Sequence, residues 1–136
     1  MDNCIFCALA DGRLQPSLVM ENETCLAILD ANPIAPYHTL VIPKQHYVGM
    51  LDVPADTLAD VTALIHRVCR LYQEKLGIDS FQIFNNTGPH SYQTVFHLHF
   101  HILPRFEHDA ITFNATRMPE LVEKYPEMLE KLALNT

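Results

Sequence analysis

The stretch FHLHFHILPR (Phe96–Arg105) alternates apolar and histidine side chains from Phe96 to Ile102. Successive side chains of a β-strand point to opposite faces, so a strict alternation of this kind predicts a strand with one apolar face. The other face would then carry three histidines, His97, His99 and His101. The apolar face fits a protein core, whereas the histidine face requires a separate explanation.

Three explanations of the histidine face remain open on spacing alone. The histidines are half-buried strand residues that face solvent, or they ligate a metal, since two histidines at i and i+2 can hold one zinc ion. Alternatively they carry out nucleophilic or acid/base chemistry, because neutral imidazole is a good nucleophile near neutral pH. One histidine alone would favour the first explanation, and three in strict alternation favour the other two.

The composition is that of an ordinary globular protein. The chain has 136 residues, of which 49% are hydrophobic and 18% charged, so we expect a single domain over residues 1–136. The formal net charge of −7 disfavours a nucleic-acid partner, which needs clustered Lys and Arg. No apolar run approaches the roughly 20 residues of a membrane helix, and no signal peptide is visible. With only four cysteines, these features predict a cytoplasmic protein without a membrane partner.

Strand-like segments are gathered in neighbouring parts of the chain. Besides the histidine stretch, they lie at residues 17–22, 24–30, 38–44 and 81–86. A βαβ array would instead alternate strands with helices. The pattern therefore predicts an α+β fold with a mostly antiparallel sheet of five strands.

Helical patterns occur in three other places. A short helix is expected over about residues 4–9, and residues 58–72 show the spacing of a long amphipathic helix. Pro54 suits an early position of that long helix and Gly77 suits its end. A second main helix is expected from about Pro119, broken or kinked by Pro126.

Cys4 and Cys7 form a C-x₂-C pair near the beginning of the sequence. A redox motif of this spacing would open a helix inside a βαβ unit, which the predicted elements lack, so a zinc knuckle is the better interpretation. It requires two further ligands from elsewhere, usually histidines. The alternative is a pair of inert, buried thiols. Cys25 and Cys69 have no partner pattern and are expected to be core thiols.

The segment from His97 to Leu103 resembles the signature of the histidine triad (HIT) family, His-φ-His-φ-His-φ-φ, where φ is apolar. The segments CIFC, ILD, HTLVIPKQH and QTVFHLHFHILPR also occur in the order seen in that family, and together they cover about residues 3–105. A helical C-terminal extension at about residues 118–133 lies outside this signature region. The resemblance implies a HIT-like α+β fold and is greatest to small bacterial-type members that hydrolyse nucleotidyl conjugates.

The implied activity is hydrolysis of the α-phosphate linkage of a purine nucleotide conjugate through a covalent nucleotidyl-histidine, which releases the nucleoside monophosphate. Dinucleoside polyphosphates and nucleoside phosphoramidates remain open as substrates. An alternative from a different class is a nucleotide-binding regulatory or scaffold protein with little turnover, against which the intact histidines argue. A nucleotidyl transferase is a third reading, but related transferases generally replace the histidine that corresponds to His101. The resemblance further implies a homodimer with a sheet continued across the interface.

The resemblance also implies a role for each matching residue. His99 would be the nucleophile, His101 would bind phosphate, and His38 would transfer a proton or orient a neighbour. Asp30 would accept hydrogen bonds from the ribose hydroxyls, which suits a carboxylate because it offers only acceptors. The alternative for Asp30 is a turn residue before the Asn32–Pro33 loop. The remaining nucleotide-binding positions are Asn86, Gln93 and Thr94.

Family members with an N-terminal C-x₂-C hold zinc with those cysteines, a histidine after the VIPK strand and the first triad histidine. The matching residues here are Cys4, Cys7, His46 and His97. This Cys₂His₂ set suits one structural zinc per chain. Three further histidines match no family position and are expected to be solvated: His66, His90 and His108.

The chain departs from the family pattern at Ser91 and Tyr92, where the family usually has two small residues, often ending in glycine. Glycine permits a close approach of the backbone or a positive φ angle, and tyrosine restricts both. The departure therefore bears on the geometry of the phosphate loop and on the size of the leaving group. Tyr92 is a candidate to line the leaving-group side of the site.

Overall fold

A computed structural model describes residues 3–133 of the chain. Its strands are β1 (Leu18–Glu21), β2 (Cys25–Leu29), β3 (Thr39–Pro43), β4 (Phe81–Asn85) and β5 (Phe100–Pro104). Its α-helices are α1 (Ile5–Ala10), α2 (Ala55–Leu76) and α3 (Tyr125–Leu132), the last preceded by a 3₁₀ helix at Pro119–Lys124. All paired strands are antiparallel and lie in the order β1-β2-β3-β5-β4. The predicted α+β fold is confirmed.

Each face of the sheet has its own apolar cluster. On one face, α2 packs against β1, β2 and β3 with its buried side chains, among them Val61, Leu64 and Val68. On the other face, Phe6 of α1 packs with the buried strand residues Leu26, Ile28, Leu40 and Ile42. Full burial of such a side chain contributes about 1.5–3 kcal/mol. The short helix α1 is therefore held on the face of the sheet opposite α2.

The long helix ends where the sequence predicts. Gly77 has φ +70°, and its N–H donates to the carbonyl oxygen of Gln73 (3.0 Å), while the N–H of Ile78 donates to that of Tyr72 (3.3 Å). A left-handed residue of this kind closes a helix at little cost only when it is glycine. Pro54 lies one position before the helix as its N-cap. Among residues 3–133, no helix is both long enough and apolar enough to cross a membrane.

The histidine strand is shorter than the alternating pattern predicts. β5 begins at Phe100, so only His101 of the three histidines lies in the sheet, and Phe96 is half exposed instead of facing the core. The pairing of β5 with its two neighbours ends at Phe100, which lies opposite Val41 of β3 and Asn85 of β4. In place of backbone pairing, the side chain of His97 donates from Nε2 to the carbonyl oxygen of Pro43 (2.8 Å). The prediction that the three histidines share one face of a strand is therefore wrong.

The C-terminal helical region also differs in detail from the prediction. Pro126 lies in the first turn of α3, after the 3₁₀ helix, and does not interrupt a helix from within. Proline is tolerated there because the first N–H groups of a helix have no intrahelical partner. The segment between β5 and the 3₁₀ helix is irregular, and Arg105 anchors its beginning by pairing with Asp109 (2.7 Å).

Candidate functional site

Two cysteines and two histidines meet beside α1. Cys4 is the N-cap of the helix and Cys7 follows one turn later, so both sulfur atoms point to the same side. His46 comes from the loop after β3, and the fully buried His97 comes from the segment before β5. The four potential ligand atoms lie within 4.8 Å of one another. The structure thus brings together all four residues that the resemblance implies for a metal site.

The distances in this cluster fit a tetrahedral ion. The Nδ1 atom of His97 lies 3.4 Å from Cys4 Sγ and 3.5 Å from Cys7 Sγ, and the Nδ1 atom of His46 lies 3.4 Å from Cys7 Sγ. Tetrahedral zinc with its usual bond lengths places sulfur and nitrogen ligands about 3.6 Å apart. Because Nε2 of His97 donates to Pro43, its Nδ1 carries the lone pair that a metal requires. These residues can hold a metal.

The ring of His99 is oriented by the backbone. Its Nδ1–H donates to the carbonyl oxygen of His97 (2.8 Å), which leaves the lone pair on Nε2. Burial lowers the pKa of His99, and only 6% of its surface is exposed. At neutral pH the ring is therefore neutral, with one nitrogen held as a donor and the other free to act as a nucleophile.

His38 and His101 form a directed hydrogen-bond chain across β3 and β5. The backbone N–H of Ile34 donates to His38 Nδ1 (3.2 Å), so the proton of a neutral His38 resides on Nε2. This Nε2–H donates to His101 Nδ1 (2.9 Å). The Asp30 carboxylate lies 3.4 Å from His38 Nε2. The chain assigns the remaining proton of His101 to Nε2, where it can be donated to a ligand.

The protein keeps both members of this chain neutral. Burial, with repulsion from His99 and His38, lowers the pKa of His101 to about 4. Burial also lowers the pKa of His38, although the nearby Asp30 carboxylate opposes the shift. Since a neutral His38 donates to His101 while accepting from Ile34, the order of donors and acceptors persists at neutral pH.

A cavity of about 460 Å³ opens above His99 and His101. Asp30, which follows β2, lies at its edge, and Phe6 of α1 contributes to its wall. Besides approaching His38, Asp30 accepts a hydrogen bond from the backbone N–H of Asn32 (2.8 Å). Asp30 therefore organises the turn, as the alternative reading of the sequence has it, and also lines the cavity.

The residues expected to bind phosphate are placed differently from one another. Asn86 and Thr94 line the cavity. Gln93 is buried and does not line it, because its amide nitrogen donates to the carbonyl oxygens of Val48 (2.7 Å) and Val95 (3.1 Å). Its amide oxygen accepts from Gly88 N–H (2.8 Å). In this arrangement Gln93 holds the loop together, and its direct contact with phosphate stays a prediction.

Tyr92 adopts the backbone conformation that glycine favours. Its φ angle is +64°, in the left-handed region, and its side chain lies at the cavity with 89% of its surface exposed. The loop therefore keeps a glycine-like path despite the tyrosine. A left-handed residue other than glycine costs on the order of 1–2 kcal/mol.

Sequence reasoning missed three side chains that support the histidines. Phe6 packs edge-on against His97 (5.8 Å between ring centroids) and His99 (5.1 Å). Phe84 stacks on His101 at 4.5 Å, and the Asn85 side chain donates to the carbonyl oxygen of His99 (2.8 Å). The sequence could have indicated Phe6, because it lies between the two cysteines of the C-x₂-C pair. The partners of Phe84 and Asn85 follow only from the register of β4 against β5.

The remaining histidines and cysteines lie outside the site. His66, His90 and His108 are exposed, as predicted. Cys25 is fully buried and Cys69 is partly buried against the α2 core, which fits their expected roles as core thiols.

Comparisons with known proteins agree with this geometry. The sequence profile of the HIT domain family matches residues 12–108. An uncharacterized HIT-like protein of Methanocaldococcus jannaschii is 38% identical over 127 residues, which cover 92% of this chain and 98% of that protein. The crystal structure of a zinc-bound histidine triad family protein from Mycobacterium smegmatis superposes with a TM-score of 0.77 at 35% identity, covering 97% of this chain and 99% of that one.

A further relative has a named activity. The adenylylsulfatase HINT3 of Arabidopsis thaliana is 34% identical over 110 residues, which cover 81% of this chain and 56% of that protein. The profile match extends over more than half of the chain and includes the histidine stretch, and the fold and the clustered histidines agree with it. The chain belongs to the HIT domain family.

Proposed function

We propose that this protein is a hydrolase that cleaves the α-phosphate linkage of nucleotidyl conjugates through a covalent nucleotidyl-histidine on His99. The observation that carries the proposal is the orientation of His99, whose Nδ1–H is bound to the His97 carbonyl oxygen while Nε2 keeps its lone pair beside the cavity. The similarity to an adenylylsulfatase supports it, because an adenylyl sulfate is a nucleotide linked through its α-phosphate.

The first step forms one bond and breaks one. Nε2 of His99 attacks the α-phosphorus, an N–P bond forms, and the bond from phosphorus to the leaving group breaks with its electron pair leaving on that group. The ring, still protonated at Nδ1, becomes cationic, and the carbonyl oxygen of His97 stabilises this charge at 2.8 Å. Splitting the displacement into two steps lowers the barrier of each.

In the second step water attacks the same phosphorus atom. The N–P bond breaks, the nucleoside monophosphate leaves, and His99 returns to its neutral form. Water supplies the oxygen atom to the phosphate and releases one proton to solvent, which balances the proton that an amine leaving group takes up from solvent as it departs in the first step. His101 donates from Nε2 to the phosphoryl oxygens in both steps, and His38 holds His101 in the tautomer that can do so.

The sugar and the rest of the phosphate are assigned to the cavity edge. Asp30 offers a carboxylate to the ribose hydroxyls, and Asn86 and Thr94 face the phosphate region. Dinucleoside polyphosphates and nucleoside phosphoramidates are both accommodated by this scheme, since both present an α-phosphorus with a leaving group.

We also propose that Cys4, Cys7, His46 and His97 hold one structural zinc ion per chain. The support is the spacing of their four ligand atoms and the zinc-bound relative. A closed Cys₂His₂ shell leaves no position open for substrate, so the ion would supply stability. It would hold α1 against the segment that carries His99, and thereby keep Phe6 against the nucleophile.

The test is an assay of nucleoside monophosphate release from a panel of adenosine conjugates. We expect release by the wild type and a loss of at least about 1,000-fold in His99→Ala, since no other group takes over as nucleophile. His66→Ala, which changes an exposed histidine outside the cavity, is the matched control and should retain activity. Equal rates for wild type and His99→Ala would contradict the mechanism, and tight binding without turnover by the wild type would favour a regulatory nucleotide-binding protein.

A further inference from the structure

The backbone strain at Tyr92 is not compensated by contacts of its own side chain. Three non-glycine residues among 3–133 have a positive φ angle: Tyr37, Tyr92 and His108. The Tyr37 ring packs against Tyr72 at 5.5 Å, and His108 lies 3.4 Å from the Glu107 carboxylate. Tyr92 makes no ring contact or side-chain hydrogen bond with any described residue, and 89% of it is exposed. Strained residues that are held in place by their surroundings concentrate at functional sites.

The position of Tyr92 relative to His99 indicates which part of a bound substrate would lie beside the tyrosine. His99 is buried at the cavity floor, while Tyr92 is exposed at the rim of the same cavity. In a phosphoryl transfer the attacking and leaving atoms lie roughly in line on opposite sides of phosphorus. A leaving group displaced by His99 therefore points away from the floor and toward the open rim.

Tyr92 differs from the other aromatic side chains that line the cavity in the exposure of its ring. The other aromatic side chains that line the cavity are Phe6, His99 and His101, which are packed against one another or against the sheet. Tyr92 is the one aromatic ring that has an unoccupied face at the rim, among the described residues that line the cavity. Its neighbours in the loop are held by the Gln93 side chain, which bonds to Gly88 and Val48 and so fixes the backbone that presents the ring.

We propose that Tyr92 is a specificity-determining residue that stacks on a planar aromatic leaving group. This inference rests on the proposed function and narrows its substrate class to conjugates whose leaving group carries an aromatic ring, such as a second nucleobase or an arylalkyl amine. A base or aryl ring covers the exposed face of the tyrosine, and removal of such a stacking partner typically weakens binding by about tenfold or more.

The experiment compares two adenosine 5′-phosphoramidates, one of 2-phenylethylamine and one of 2-cyclohexylethylamine. Both release a primary alkyl amine of similar size from the same phosphorus atom, and only one carries an aromatic ring. We expect wild type to prefer the phenyl compound by about tenfold in kcat/KM, with the difference in KM because the ring acts on binding. Tyr92→Phe keeps this preference, whereas Tyr92→Leu, which retains an apolar side chain on the same strained backbone, brings the ratio near one.

A matched control and a binding measurement separate the possible failures. His108→Gly changes another exposed residue with positive φ outside the cavity and should keep the wild-type preference. A ratio near one in wild type, or an unchanged ratio in Tyr92→Leu, would overturn the inference while leaving hydrolysis intact. If wild type hydrolyses neither compound, alkylamine phosphoramidates are excluded as substrates, and the proposed function is decided by the panel of adenosine conjugates. The stacking is then decided by calorimetry, which gives the Kd of each compound for His99→Ala and for the double variant His99→Ala, Tyr92→Leu. Equal Kd values for the two compounds in His99→Ala, or no binding of either, would overturn the stacking inference.

Discussion

Replacement of His101 by asparagine tests the buried hydrogen-bond chain through stability alone. Asparagine cannot titrate, but its side-chain oxygen reaches the position of Nδ1 and can accept the hydrogen bond from His38 Nε2–H. The variant therefore removes the protonation of residue 101. Its loss of the ring that stacks on Phe84 lowers stability by a similar amount at every pH, so the comparison rests on the pH dependence. Its pH dependence should differ from that of the wild type in a definite direction.

The magnitude follows from the pKa of about 4 for His101 in the folded protein and its ordinary value of 6.5. Between these values the unfolded chain binds more protons than the folded one, so the free energy of unfolding falls as the pH decreases. At about 1.4 kcal/mol per pKa unit, His101 costs the wild type about 2 kcal/mol between pH 7 and pH 5 and about 3 kcal/mol by pH 4. His101→Asn should be spared this loss.

The assay is denaturant unfolding of both proteins at pH 7, 6, 5 and 4 in the same buffer series. Titratable groups that do not contact residue 101 act on both proteins and cancel in the difference. His66→Asn, a replacement at an exposed position of α2, should follow the wild type. If His101→Asn loses as much unfolding free energy as the wild type by pH 5, His101 is not held neutral by its surroundings and the direction of the chain is wrong.

Two further predictions concern the metal and the assembly. Elemental analysis of the wild type should find about one zinc per chain. Cys7→Ser should lose most of this zinc, and the control Cys69→Ser should retain it. Wild-type protein free of zinc, or equal zinc in both variants, would contradict the ligand set. Light scattering should give about twice the chain mass of 15.5 kDa, because the edge strand β4 exposes a row of unpaired backbone groups beside Ile83, which is 48% exposed. Ile83→Glu should yield monomer, while Leu18→Glu on the opposite edge strand should not; a monomeric wild type would refute the dimer.

Local patterns in the sequence determined most of the secondary structure. The helical spacing over residues 58–72 and the stop at Gly77 depend on side chains that are close in sequence, so they could be read directly. The same holds for β1 to β4. No end of these four strands differs from its predicted position by more than one residue. The exception is β5, because its true beginning depends on how far it pairs with β3, a strand distant in sequence.

The sequence by itself also determined which residue types meet at the candidate site, through the family resemblance carried by the histidine stretch and the C-x₂-C pair. The different surroundings of the three histidines were decided by tertiary structure. His97 turns toward Cys4 and Cys7, His99 is aligned by a backbone carbonyl, and His101 accepts from His38, which is 63 positions away. The protonation state and free nitrogen of an imidazole depend on burial and on the partner of its other nitrogen, and both arise only when distant segments pack together.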